Sequence, residues 1–264
     1  MATIEELLHR RTDLSTFLVH FTREYDQRSA RDNLVSILRD VRIEARNVYG
    51  MADQLARRFP ALAEGQKTVC FTETPLEHAW MMCSEIRGRR VQFDDGYGVA
   101  FTKTWARRRG INPVWYLDIT RRGGPDWLTV SIGKLLDQAE QAAIQPGATR
   151  PDLDVLEQAP ILRLTPFIEQ MGNPSGIPKE FWWEREWRHI GDLTFYPRDI
   201  VVVFAPEDDH DSLEARLRRK LKSASSKPAI ASNMPAFVDA RWGLERMIGA
   251  LAGVWGPDLG PFPE

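Results

Sequence analysis

Apolar residues recur along this chain at two spacings, and the switches between them predict its elements. A helical spacing over residues 3–13 puts Ile4, Leu7 and Leu8 on one face. Phe17–Thr22 is a short apolar run that predicts a strand. Ser29 is placed to cap a helix running to about Asp40, with Leu34, Ile37 and Leu38 as its buried stripe. Val41–Ala45 alternates apolar and charged residues, as a half-exposed strand does. Met51–Phe59 predicts a helix stopped by Pro60.

Lys67–Glu73 predicts the next strand, leading into Thr74-Pro75-Leu76-Glu77, which has capping-box residues at the required spacing. Strands over Tyr97–Thr102 and Pro113–Asp118 flank a basic helix, Lys103–Arg109, that ends at Gly110. Residues 126–144 read as a helix. Between 145 and 180 the breakers Pro146, Pro151, Pro160, Pro166, Pro174 and Pro178 predict a long connection with short helical pieces. Beyond it come a strand at Ile200–Phe204 and a basic helix capped by Asp208 or Asp209 and running to about Lys222. A strand near Ala229 and a helix at Leu244–Leu251 complete the pattern. The expected class is α+β: a mixed, mostly antiparallel central sheet with flanking helices. A single domain over 1–264 is expected, with a Pro/Gly-rich insertion at about 145–180.

Composition narrows the function. With 43% hydrophobic residues among 264, a substantial core is available and disorder is not the default. A formal net charge of −2 excludes a basic nucleic-acid coat, although Arg107–Arg109 and Arg216–Lys222 are local clusters able to meet phosphate. Two cysteines, Cys70 and Cys83, rule out a disulfide framework and fit a reducing cytoplasm. No signal segment and no membrane span is evident. The histidines form no zinc-ligand spacing, and phosphate-cradling and nucleophile-elbow motifs are absent.

Two segments stand out chemically. His20 and Thr22, two apart on a strand, would share a face. Far downstream, Trp182-Trp183-Glu184-Arg185-Glu186-Trp187-Arg188 packs tryptophans around two carboxylates. On a strand, Glu184 and Glu186 would lie roughly 7 Å apart on one face, with Trp182 and Arg188 beside them. The alternative for His20 is a core histidine, and for the acids a solvated strand face.

His20-Phe21-Thr22, Cys70-Phe71-Thr72-Glu73 and Glu184-Arg185-Glu186-Trp187-Arg188, in that order, resemble the AbiGi-type abortive phage resistance proteins. That resemblance implies phage defence, in some cases as the antitoxin of a two-gene system. The layout is also similar, more distantly, to ADP-ribosyltransferases of the DarT-like kind, which implies NAD as substrate. By that likeness His20 and Thr22 hold ribose, Phe71 or Tyr97 meets nicotinamide, and Glu186, preceded by Glu184, is catalytic. Thr72 adds a hydroxyl on the same side, and Arg188 either pairs with pyrophosphate or tunes Glu186. A carboxylate on the ribose 2′-OH would tighten its hold as oxocarbenium character develops.

Three expectations follow. One is ADP-ribosyl transfer from NAD to a macromolecular target. The second is a non-catalytic antitoxin or sensor that meets a cognate partner protein through the Trp/Arg segment. The third, a nucleic-acid-processing protein, is weakened by the near-neutral charge.

Overall fold

The structure, a computed structural model, describes residues 13–83, 93, 95–120, 127–172, 180, 182–224 and 234–253, apart from the side chains of 220–224. The strands are β1 Phe17–Phe21, β2 Arg42–Ile43, β3 Thr68–Thr72, β4 Gly98–Thr102, β5 Asn112–Pro113, β6 Trp115–Asp118, β7 Ile168–Met171, β8 Glu186–Ile190, β9 Leu193–Thr194, β10 Val202–Phe204 and β11 Ala236–Val238. With the intervening helices they make an α+β protein whose main sheet is mixed and mostly antiparallel. The chain forms two compact, interleaved units. One comprises Met1–Ile43, Phe71–Arg109 and Thr194–Glu264, and the other Glu44–Cys70 and Gly110–Leu193.

In the first unit the strand order is β11-β10-β4-β1, followed by the end of β3. β1 runs antiparallel to β4, from Phe17 opposite Thr102 to Phe21 opposite Gly98, and Val19 faces Thr72 across the other edge. β10 pairs antiparallel with β4 and parallel with β11. Val99, Ala100 and Phe101 are consecutive and all buried, so β4 is covered on both faces. The helix Ala30–Asp40 forms as its sequence predicts. Ser29 Oγ accepts from Asp32 N at 3.1 Å, while Leu34, Ile37 and Leu38 are buried.

The second unit holds the order β3-β8-β5 and a parallel pair, β6 with β7. Its apolar centre is Leu55, Leu62, Ala143, Leu156 and Leu162. The segment expected as a loose connection is more structured than its prolines suggest. It contains helices Leu153–Glu157 and Pro160–Leu164 and the strand β7. Asp152 caps the first of these, and Pro160 occupies the first turn of the second, where no N–H is needed.

Three local expectations are corrected. Thr74 does not cap a helix: its hydroxyl pairs with that of Thr72 at 2.7 Å, and a 3₁₀ turn, Leu76–His78, begins after Pro75. The Val41–Ala45 strand shrinks to Arg42–Ile43, because Val41 takes a left-handed backbone and Ala45 N donates to Asp192 at 2.7 Å. The Pro113–Asp118 strand divides at Val114: Asn112–Pro113 pairs with β8 and Trp115–Asp118 with β7. The helix expected over 3–13 falls almost wholly, and the strand near Ala229 entirely, outside the described residues.

Gly50 starts the helix Gly50–Arg58 at φ +58°. A Cβ there would lie 2.2 Å from Ile168 O and 2.8 Å from Glu169 Oε2. Glycine therefore lets this helix approach β7 closely. Gly50→Ala should lower unfolding free energy by about 2 kcal/mol or more, from left-handed strain plus the clash. Urea denaturation followed by circular dichroism measures it, and an unchanged midpoint would contradict the assignment.

Candidate functional site

Arg188 is the largest fully buried side chain described, at 1% exposure. It lies in β8 of the second unit, two residues after Glu186, and strand geometry puts both on one face. Its Nε donates to Glu186 Oε1 at 2.9 Å and its Nη2 to Glu186 Oε2 at 2.7 Å, a bidentate fork. Nη2 also donates to Glu169 Oε2 at 2.8 Å, and Nη1 to Pro166 O at 2.7 Å. The guanidinium lies over the Tyr49 ring, 5.3 Å from its centroid.

Each partner is brought in by a different piece of the unit. Glu169 comes from β7, Pro166 from the 3₁₀ turn Thr165–Phe167, and Tyr49 from the residue before the helix Gly50–Arg58. Tyr116 of β6 adds a hydroxyl that accepts from Glu186 N at 3.1 Å. Burial opposes the Arg188 charge, but Glu186, Cys70 and Glu169 outweigh it and hold the guanidinium pKa above its usual value. Desolvation, and then the Glu186 charge, push the Cys70 thiol well up, so it stays protonated at neutral pH. The same two causes, in the same order, raise Tyr116.

Glu184 and Glu186 do not share a strand face as expected. Trp182–Glu184 is a 3₁₀ turn, and Arg185 has φ +47°, so the alternation begins only at Glu186. This break separates the two acids into different local geometries. The expected pairing of Arg188 with Glu186 is present. Glu169, Tyr49 and Tyr116 were missed. The one available signal for Glu169 was a lone carboxylate set in the apolar run Pro166-Phe167-Ile168, the mark of a buried acid seeking a cation.

The other expected residues lie in the first unit, on or beside three neighbouring strands. The His20 ring of β1 meets Phe71 of β3 with centroids 5.7 Å apart. Thr22 is buried, and its hydroxyl donates to Ala30 O at 2.8 Å and Tyr97 O at 3.2 Å. Thr72 is engaged with Thr74, and Phe71 is buried against Phe101. The Tyr97 hydroxyl donates to Asp209, which also accepts from Arg31 Nε at 2.8 Å. Burial and the Asp209 bond raise the Tyr97 pKa, while the Arg31 bond holds Asp209 below the usual carboxylate range. Glu73, the acid closing the second motif, is buried and paired with Lys103 Nζ at 2.7 Å. Among the described residues, no cluster of His, Cys, Asp and Glu could hold a metal ion.

Residues 63–224, more than half of the chain, match the family described as "Putative abortive phage resistance protein AbiGi, antitoxin". The chain belongs to the AbiGi family. The matched region contains Cys70-Phe71-Thr72-Glu73 and the whole Arg188 cluster apart from Tyr49, whereas His20-Phe21-Thr22 precedes it. AbiGi membership carries abortive phage resistance and, by the family's description, an antitoxin role. No curated protein and no solved structure matches the chain. No described helix of this AbiGi protein is long and apolar enough to cross a membrane.

Arg188→Met should cost about 3–5 kcal/mol, because it leaves Glu186 and Glu169 facing each other without a cation. Adding Glu169→Gln and Glu186→Gln to that variant should recover much of the loss, as read by chemical denaturation. In the first unit, the depressed Asp209 pKa contributes stability that is present above about pH 4 and is lost as pH falls through the folded-state value. The stability gap between wild type and Asp209→Asn should therefore shrink from pH 6 to pH 2. A gap constant across that range in thermal melts would contradict the assignment.

Proposed function

We propose that the chain acts as the non-catalytic antitoxin of a two-gene abortive infection system, neutralising a cognate toxin protein. The observation that carries this reading is the fork between Arg188 and Glu186. Both oxygens of the most promising acid are held by a buried cation that the fold itself requires. Glu184 lies across a left-handed residue from it, so an adjacent acid–base pair on one face is not formed. The family's description points the same way.

A second reading is NAD-dependent ADP-ribosyl transfer to a macromolecular target, with Glu186 as the ribose-polarising carboxylate. It is favoured by that carboxylate's fixed orientation, since each oxygen keeps a lone pair and the side chain is 16% exposed. His20, Thr22, Phe71, Thr72, Tyr97 and Arg188 are the NAD-contacting residues under this reading.

The readings separate in one pair of assays. Co-expression should restore growth to cells making the toxin, and the purified chain should move no label from radiolabelled NAD onto any macromolecule. Label transfer that disappears in Glu186→Gln, with the fold intact by circular dichroism, would overturn the non-catalytic reading and establish the second.

A further inference from the structure

The second unit carries an apolar helix face that its own fold leaves uncovered. The helix Trp127–Ala142 has no buried residue, although it opens Trp-Leu-Thr-Val-Ser-Ile, without a charge. Trp127 is 70% exposed, Val130 46% and Leu135 50%. At 3.6 residues per turn these three span roughly 140° of the helix surface. Leu136 and Ala139 are the residues of this helix that pack against the unit's apolar centre. A helix lying on a protein surface ordinarily turns charged residues outward. This one turns out a tryptophan, a valine and a leucine.

A cavity of about 210 Å³ opens beside it, walled by Met51, Leu55, Phe59, Leu136, Leu156 and Leu162. Arg58, half-exposed and paired with Glu140, lines it as well. An apolar cavity of about 150 Å³ already admits a benzene ring, so a phenyl or indole group fits here. Pockets that take one aromatic anchor, surrounded by apolar contacts, are where binding energy concentrates in protein interfaces. A membrane surface is a poorer occupant. Helices that lie on anionic lipid carry lysines and arginines on the polar side, whereas this one has Lys134 against Asp137 and Glu140.

We propose that this helix and the cavity beside it dock the cognate toxin. One aromatic side chain of the toxin enters the cavity, and Trp127, Val130 and Leu135 cover apolar surface around it. The inference rests on the antitoxin reading and names the surface that reading requires.

The test titrates the full chain with the toxin encoded by its partner gene, using isothermal calorimetry, beside a growth-rescue assay. Trp127→Ser combined with Leu135→Glu changes two exposed positions, so thermal melting should be unchanged. Toxin affinity should fall at least 100-fold and rescue should be lost. Free indole at millimolar concentration should weaken toxin binding by the wild-type chain. Undiminished affinity in the double variant, or binding indifferent to indole, would overturn the docking site while leaving the antitoxin role standing. So would rescue without direct binding, or a double variant that alters only self-association. A wild-type chain that neither binds nor rescues would remove both.

Discussion

A guanidinium with almost no access to water has to be compensated where it stands, and the second unit is assembled around that requirement. Arg188 uses four of its five N–H groups on Glu186, Glu169 and Pro166 O. Burying a cation costs several kcal/mol before its partners are counted, so the strand, turn and helix that supply them must arrive together. Gly50 is part of the same constraint, since only a residue without a side chain lets its helix come so near Ile168 and Glu169. Two carboxylates against one guanidinium leave the cluster with a surplus of negative charge. The thiol of Cys70 and the phenol of Tyr116 accordingly hold their protons.

That constraint decides how the later motif is understood. As a string, Glu184-Arg185-Glu186-Trp187-Arg188 offers two acids and two bases in alternation, a pattern equally suited to catalysis or to a solvated strand. In three dimensions Arg185 breaks the alternation, and Glu186 and Arg188 turn to each other. The motif therefore closes a fold before it serves any ligand. This sits well with membership of a family described as an antitoxin, where a stable surface matters more than a reactive group.

Legibility in the sequence followed the range of the interaction. The helix Ala30–Asp40 was readable because its cap at Ser29 and its stripe of Leu34, Ile37 and Leu38 are set by neighbours three or four residues away. The helix Gly50–Arg58, stopped at Pro60, was readable for the same reason. Thr74 was misread because a competing partner, Thr72, takes the hydroxyl that would have capped a helix. Glu169, Tyr49 and Tyr116 reach Arg188 or Glu186 from 17 or more residues away, and no local pattern announces them. The positive φ of Arg185 was likewise invisible, since arginine has no special tolerance for that region.

The measurement that bears most directly on the Arg188 account is a double-mutant cycle between Glu186→Gln and Arg188→Met, read as unfolding free energy. Strong coupling is predicted, at the upper part of the roughly 0.5–3 kcal/mol seen for contacting residues. Additive losses, with Glu186→Gln leaving stability untouched while abolishing neutralisation of the toxin, would contradict it and return Glu186 to a functional role.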